Sequence, residues 1–249
     1  MTKKGWLVFS FLCVMLLAGL VWFSQKSKVD VSTVPLAKVQ PATAASGNIS
    51  DHTLGNTKSK VIMIEYGDFQ CPGCGAAHPV MKKIAEKYSA QIAFVFRNYP
   101  LYSAHANAYT AATAAEAAGL QGKYWEMHNY LFENQGSWSQ LSGDARANYF
   151  NNTAELLGLD VKRFTSDQIS NDVKKKIDFD TALGKKADIS GTPSIYINDK
   201  NVGDQYILNG KIVPKNTTDA KLIWSDQALF ESLVLNPILK EHGIEPPAS

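Results

Sequence analysis

The chain has few cysteines and little net charge. Only 3 of its 249 residues are cysteine, too few for a small secreted scaffold stabilised by disulfides. Its 25 Lys and Arg residues nearly balance 23 Asp and Glu residues, and a net charge of +2 does not indicate a nucleic-acid partner. With 45% hydrophobic residues the chain can build a substantial core, which excludes a disordered protein.

The N-terminal segment lacks charge over a long stretch. Residues 5–23 carry none, and as a helix they would extend for about 28 Å, close to the roughly 30 Å hydrocarbon core of a bilayer. The small residues typical of a signal-peptide cleavage site do not follow. We therefore expect residues 1–24 to be a membrane anchor or an uncleaved signal. Residues 25–50 have no sustained apolar period and are expected to form a flexible linker.

The next part of the chain has the pattern of a parallel strand, helix and strand. Residues 61–66 and 91–96 are short apolar runs typical of buried strands. Between them, apolar residues recur at helical spacing, and the helix is predicted to begin at Cys71. A strand, a crossover helix and a second strand form a βαβ unit.

The remaining segments are mainly helical before the chain returns to strands. Residues from about 103 to 188 are rich in alanine and carry helical apolar faces, whereas 194–198 reads as a strand. Asn209 and Gly210 between apolar runs indicate a type I′ hairpin. A last helix is predicted over 226–239, where Pro237 could end it early.

The most informative motif is the pair Cys71 and Cys74, which lies between the first strand and its helix. Pro72 suits the first helical turn, where its missing N–H costs nothing. The helix N-terminus would stabilise a thiolate at Cys71, while Cys74, one turn further on, would be the buried resolving thiol. Such a pair can close a disulfide and exchange it with another protein.

Three other roles for this pair compete with thiol exchange. A zinc site using Cys71, Cys74 and His78 needs a fourth ligand, and neither a second CxxC nor a paired His follows. Covalent haem attachment is excluded because it requires His where Gly75 stands. A purely structural disulfide closing so short a loop would add little stability. The zinc site and the structural disulfide stay open as alternatives.

Two further positions carry candidate chemistry. Glu65 lies in an otherwise apolar strand, where a buried carboxylate is costly unless it has a task. It could accept and return the proton of Cys74 with a raised pKa, or it could be an acid at a sheet end with access to water. Thr192 and Pro193 precede a strand, and a cis bond between them would indicate a functional role.

Four separated segments, EYGDFQCPGC, FRNYPLYSAHANA, GKYWEMHNYLF and GTPSIYIN, resemble the DsbA-like branch of the thioredoxin superfamily, in particular its membrane-tethered members. The resemblance implies an α/β thioredoxin-like fold over 51–249, with a helical domain inserted in the core at about 103–188. An N-terminal transmembrane helix would precede it.

The same resemblance implies the roles of individual residues. It makes Cys71 the nucleophile, Cys74 the resolving cysteine and Glu65 the buried acid. Pro193 would be a cis-proline beside the disulfide, and the backbone of Thr192 would pair with a client peptide.

The implied activity is a thiol:disulfide oxidoreductase that introduces disulfides into exported proteins. The catalytic domain would lie in the periplasm or at the outer face of the cell membrane. Its partners would be reduced exported proteins and a quinone-linked membrane protein that reoxidises the pair, and we expect a monomer without metal or cofactor. The dipeptide Pro72 and Gly73 lacks the His of the most oxidising members, which leaves the strength of the oxidant open but not the reaction. A reductase or isomerase on the same fold is the nearest alternative. A non-catalytic metal-binding membrane module is a further one.

A few features have no place in this hypothesis. The segment 198–214 is long for a hairpin. His78 and His105 are expected to be surface residues near the active site. A group of lysines is expected to form a solvated helix face, namely Lys174, Lys175, Lys176, Lys185 and Lys186.

Overall fold

The computed structural model describes residues 3–26 and 29–248, and the chain divides into two units, Met1–Asp30 and Val31–Ser249. The first unit holds one helix, α1 (Lys3–Lys26). The sequence predicts a membrane-spanning helix in this segment. Over the described residues, however, no helix is both long and apolar enough to cross a membrane.

The second unit is built on a five-stranded sheet. Its strands are β1 (His52–Gly55), β2 (Ile62–Gly67), β3 (Ala93–Asn98), β4 (Ser194–Ile197) and β5 (Lys200–Asn201). They lie in the order β1-β3-β2-β4-β5, with β2 and β3 parallel and the other neighbours antiparallel. Helix α2 (Pro72–Lys87) connects the parallel pair, so the predicted βαβ unit is confirmed.

Six helices separate β3 from β4, as predicted for residues 103 to 188. They are α3 (Ala108–Gly119), α4 (Tyr124–Glu133), α5 (Gln135–Trp138), α6 (Gly143–Leu156), α7 (Val161–Gln168) and α8 (Asn171–Lys186). The alanines of α3 are buried among large side chains of the other helices, including Trp138, Phe150 and Phe164. Small side chains on α3 allow its neighbours to pack closely, and the insert therefore has a core of its own.

A second apolar cluster lies around the other part of α2. Val61, directly before β2, and Met63 of β2 pack there with Met81, and the C-terminal segment adds Phe230. Cys74, in contrast, belongs to the cluster of the insert. Helix α2 thus contributes to both clusters, and the cysteine motif lies at its N-terminal end beside the insert.

The segment 198–214, unexplained by the sequence, builds most of a small second sheet. Its strands are β6 (Tyr206–Leu208), β7 (Lys211–Val213) and β8 (Lys221–Leu222), in the antiparallel order β7-β6-β8. Asn209 and Gly210 have φ of 50° and 73°, the left-handed values that a type I′ turn requires. The predicted hairpin is confirmed.

The C-terminal helix runs past Pro237 instead of ending there. It consists of α9 (Gln227–Phe230), a π-helical turn (Glu231–Leu235) and α10 (Asn236–Glu241), after a 3₁₀ turn (Ile223–Ser225). Pro237 lies in the first turn of α10, where a backbone N–H is not needed for the helical hydrogen-bond pattern. The wider π turn before it replaces the break that the proline was expected to cause.

Residues 31–50 are not the flexible linker that the sequence predicts. They belong to the second unit, where the exposed Lys186 and the buried Arg97 bind their backbone carbonyl groups. Lys186 Nζ donates to the carbonyls of Val31, Ser32 and Val34 at 3.0, 2.7 and 2.7 Å. Arg97 donates to those of Leu36 and Lys38 at 2.9 and 2.7 Å. The folded domain therefore begins near residue 31 and not at residue 51.

A buried ion cluster joins this segment to the sheet and the insert. Arg97 Nη2 lies 2.8 Å from Asp51 Oδ2, and Lys176 Nζ lies 3.0 Å from Asp51 Oδ1 and 2.7 Å from Asp180 Oδ1. Burial would raise the pKa of Asp51, but the charges of Lys176 and Arg97 lower it to about 2. Lys176 is 0% exposed, so the prediction of a solvated lysine face is wrong for this residue.

Candidate active site

Cys71 immediately precedes α2 and is its N-terminal capping residue. Pro72 occupies the first helical turn, as predicted. The Cys71 N–H donates to the carbonyl of Asp68 at 3.0 Å, which fixes the loop that enters the helix. Cys71 is 7% exposed and Cys74 is 0% exposed, and both are free thiols in this structure. Of these two thiols, Cys71 is therefore the one that another protein can reach.

The surroundings of Cys71 favour its thiolate. The hydrogen bond from the Cys74 thiol is the largest cause, and it lowers the pKa of Cys71 against the opposing effect of burial. Hydrogen bonds from Thr192 and from the N–H groups of Cys74 and Gly73 bring the pKa down to about 5. The exposed N–H groups at the start of α2 thus act as the sequence predicts.

A loop from the far end of the insert lies against the cysteine motif. The peptide bond between Thr192 and Pro193 is cis, as the resemblance implies. Cys71 Sγ donates to the Thr192 carbonyl at 3.2 Å. A Cβ atom at Gly73 would lie 3.2 Å from Pro193 Cδ. The absence of a side chain at Gly73 therefore lets the loop pack directly on the motif.

Cys74 and Glu65 are buried together below Cys71. Burial is the main cause that raises the pKa of Cys74, and the hydrogen bond to Cys71 and the charge of Glu65 add to it. Glu65 is 2% exposed, and its pKa is raised to about 8 by burial and then by the charge of Cys71. The alternative of a carboxylate with open access to water is therefore wrong. The Oε1 atom of Glu65 finds no hydrogen-bond partner among the described residues.

The insert holds the motif through glutamine side chains that the sequence did not single out. Gln135 Nε2, at the start of α5, donates to the carbonyls of Phe69 and Cys71 at 2.8 and 2.9 Å. Gln70 Nε2 donates to the carbonyl of Ser139 at 2.7 Å. These bonds join the loop before α2 to the insert and limit its movement.

Asp68 fixes the same loop from the inside. Its Oδ2 atom accepts the N–H of Leu101 at 2.9 Å and lies 2.7 Å from His105 Nδ1. Its own N–H donates to Cys74 Sγ at 3.5 Å. His105 is partly exposed beside the motif, close to its expected position. Asp68 therefore connects His105 to the buried thiol.

His78 is buried, contrary to the expectation of a surface position. It stacks on Phe132 with ring centroids 5.0 Å apart, and the similarly buried His128 lies edge-on to Phe96 at 4.6 Å. Burial lowers the pKa of His78 to about 4 and that of His128 to about 3. Both imidazoles are therefore uncharged at neutral pH. Across the described residues, no three His, Cys, Asp or Glu side chains form a group that could hold a metal ion.

Comparison with known proteins assigns the chain to a family. A family model described as thioredoxin matches residues 47–212, about two thirds of the chain, and the chain belongs to this family. The match contains the cysteine motif, the insert and the cis-proline loop.

Two curated relatives extend this result. Over 156 residues the chain is 36% identical to Na(+)/H(+) antiporter NhaA 1 of Salinispora arenicola, a match that covers 63% of this chain and 23% of the antiporter. The chain thus spans about a quarter of the length of the curated relatives that match it first. It is 27% identical over 156 residues to the probable disulfide bond formation protein D of Bacillus cereus, which covers 60% of this chain and 70% of that protein.

Among solved structures, alpha-DsbA1 of Wolbachia pipientis is similar to this chain. It has 25% sequence identity and a TM-score of 0.58, and the match covers 77% of this chain and 92% of that structure. The chain thus has the α/β thioredoxin-like fold of this family, with an inserted helical region and the Cys71 and Cys74 pair.

Proposed function

We propose that this protein is a DsbA-like thiol–disulfide oxidoreductase that introduces disulfides into exported proteins. The observation that carries the proposal is the contrast between the two thiols, since the pKa of Cys71 is lowered to about 5 while that of Cys74 is raised. The Cys71 thiolate is present in the reduced pair, so its stabilisation also stabilises the reduced form. A pair with a stabilised reduced form gives up its disulfide readily and is an oxidant.

In the proposed reaction the oxidised pair is the disulfide donor. A client thiolate attacks Cys71 Sγ, the new sulfur–sulfur bond forms, and the bond between Cys71 and Cys74 breaks. A second client thiolate then attacks the client sulfur of the mixed disulfide and releases the Cys71 thiolate. The client loses two electrons and gains a disulfide, and the enzyme gains those two electrons as its reduced pair.

Glu65 is proposed to manage the proton of the buried Cys74. Cys74 leaves as a thiolate in a site where burial opposes negative charge, so it must take up a proton. Glu65 is buried in the same site, and with a pKa of about 8 it is largely protonated at neutral pH. It can give its proton to Cys74 in this step and take it back during reoxidation.

The backbone of Thr192 is proposed to bind the client. Its carbonyl lies 3.2 Å from Cys71 Sγ, so an extended client segment that pairs with this backbone would bring its cysteine to the reactive sulfur. Main-chain pairing of this kind accepts many sequences, as an enzyme with varied clients requires.

The site of action is proposed to be extracytoplasmic. The support is the similarity to DsbA-like proteins and the uncharged run over residues 5–23. A quinone-linked membrane protein would reoxidise the pair, and residues 1–24 would tether the monomeric domain close to it. In cell fractionation, a domain that stays with the membrane after a carbonate wash supports the tether, and a released domain contradicts it.

The reduction potential of the pair tests the oxidase proposal. Equilibration of the full chain with glutathione buffers should give a value close to that of DsbA, about −120 mV, and not close to that of thioredoxin, about −270 mV. The Cys71→Ser variant should lose oxidation of a reduced client protein. A potential near the thioredoxin value would favour the reductase, and full activity of the variant would exclude Cys71 as the nucleophile.

A further inference from the structure

A groove of about 360 Å³ lies beside the cis-proline loop. Gly73, Thr192 and Pro193 line its part next to the cysteines. A Cβ atom at Gly73 would be only 3.6 Å from Cys71 Sγ, so this end of the groove reaches the reactive sulfur. An extended peptide whose cysteine contacts Cys71 must place its neighbouring residues in or beside the groove, because each residue advances the chain by about 3.3 Å.

The small second sheet supplies another wall of the groove. Tyr206 of β6, Leu222 of β8 and Trp224 of the following 3₁₀ turn all line it. Trp224 is 8% exposed, and the described residues show no hydrogen bond from its indole. The segment that the sequence left without a role therefore forms part of a surface next to the active site.

The charged residues described in the lining of this groove are all acidic. Asp188 and Asp204 line it and are exposed, and its described lining residues include no Lys, Arg or His. Asp204 Oδ2 accepts one hydrogen bond, from Asn201 Nδ2 at 2.9 Å, which leaves other lone pairs of the carboxylate free. Burial raises the pKa of Tyr196, and the charges of Asp204 and Asp188 raise it further. Both carboxylates therefore act on the same aromatic wall.

We infer that this groove binds a client segment that carries a Lys or Arg side chain within two residues of its reactive cysteine. The inference rests on the proposed function in one respect, namely that the occupant of the groove is a client protein. Aromatic faces with carboxylates at the rim complement a long cationic side chain, which can stack on the rings and pair with the acids. An acidic side chain at the same place would meet two negative charges and no cation among the described lining residues. The groove would thus select clients by charge while the Thr192 backbone accepts any sequence.

The experiment measures the first exchange step alone. Peptides with one cysteine, activated as a pyridyl disulfide and flanked by Arg, Gln or Glu, are mixed with the full-length Cys74→Ala protein at pH 8. The Cys71 thiolate attacks the peptide sulfur, the mixed disulfide forms, and pyridinethione leaves and is followed by its absorbance. This readout does not depend on whether the enzyme acts as an oxidase or a reductase. Failure of the proposed function would appear in the reduction potential of the cysteine pair, and failure of the groove inference would appear in the peptide rates, so the two are distinguishable.

The Arg peptide should react about tenfold faster than the Glu peptide, with the Gln peptide between them. Asp188→Asn combined with Asp204→Asn should bring this ratio close to one. Asp188 has a φ of 54°, which Asn tolerates well, so both substitutions keep the local backbone. Asp199→Asn removes an exposed acid outside the groove and should leave the ratio unchanged. Equal rates for the three peptides, or a ratio that survives the double substitution, would overturn the inference.

Discussion

Replacement of Glu65 by Gln should make the reduced protein more stable at neutral pH, by an amount that depends on pH. Glu65 has an ordinary pKa of 4.5 and a pKa of about 8 in the folded chain. Between these values the folded chain keeps a proton that the unfolded chain releases. The contribution of Glu65 protonation to the free energy of unfolding is therefore complete below pH 4.5 and is lost as the pH rises to 8.

The size of the effect follows from the same two values. A pKa difference of one corresponds to about 1.4 kcal/mol. At pH 7 the raised pKa of Glu65 therefore destabilises the folded chain by about 3 kcal/mol, and above pH 8 by about 5 kcal/mol. Gln has nearly the same shape but does not titrate, so any cost of burying its amide is independent of pH.

Urea denaturation from pH 4.5 to 8.5, with a reductant present, measures this difference. We expect the free energy of unfolding of Glu65→Gln, minus that of the wild type, to rise by about 3 kcal/mol between pH 4.5 and 7. His78 and His128 also titrate differently in the folded and unfolded chains because their pKa values are lowered. Their effect is common to both proteins and cancels in the difference.

A second variant checks the cause of the raised pKa. The charge of Cys71 is the second contribution after burial, so in a Cys71→Ala background the rise should still begin near pH 4.5 but should end at a lower pH and be smaller in total. A difference that stays flat from pH 4.5 to 8.5 would refute the reasoning, since it would mean that Glu65 titrates as an ordinary exposed acid.

The remaining predictions concern the thiol, the ion cluster and the insert. Cys74→Ala should raise the pKa of Cys71 clearly above 5, because the hydrogen bond from Cys74 is the largest cause of the lowered value. Thiolate absorbance at 240 nm measures this pKa. A midpoint still near 5 would assign the lowered pKa to the helix N-terminus. Lys176→Met removes the ion-pair partner of Asp180 and one of the two cations paired with Asp51, and should lower the free energy of unfolding by about 3 to 5 kcal/mol. Exposed Lys185→Met should change it little, and equal effects would contradict the ion cluster. Gln135→Leu removes the side-chain donor to the Phe69 carbonyl and one of the two donors to the Cys71 carbonyl. It should cost about 1 to 3 kcal/mol and slow peptide oxidation, and unchanged stability and rate would show that the insert does not hold the motif.

Local patterns in the sequence were enough for the elements that carry the chemistry. The strand over 61–66, the helix that begins after Cys71 and the hairpin at Asn209 and Gly210 all occur as predicted. Each depends on neighbouring residues, through apolar period, capping or turn conformation, so it can be read from a short stretch of chain. The contrast between Cys71 and Cys74 also follows from their positions on the first helical turn.

The tertiary structure alone decided what surrounds these elements. Gln135 holds the motif from 64 residues beyond Cys71, and Lys176 pairs with Asp51 across 125 residues. A lysine in a polar helical run looks solvated until a distant acid is placed against it, and an irregular segment such as 31–50 looks like a linker until Arg97 and Lys186 bind its carbonyls. The burial of Glu65, and with it the raised pKa, likewise depends on the helices that cover the sheet, because desolvation is a property of the whole packed core.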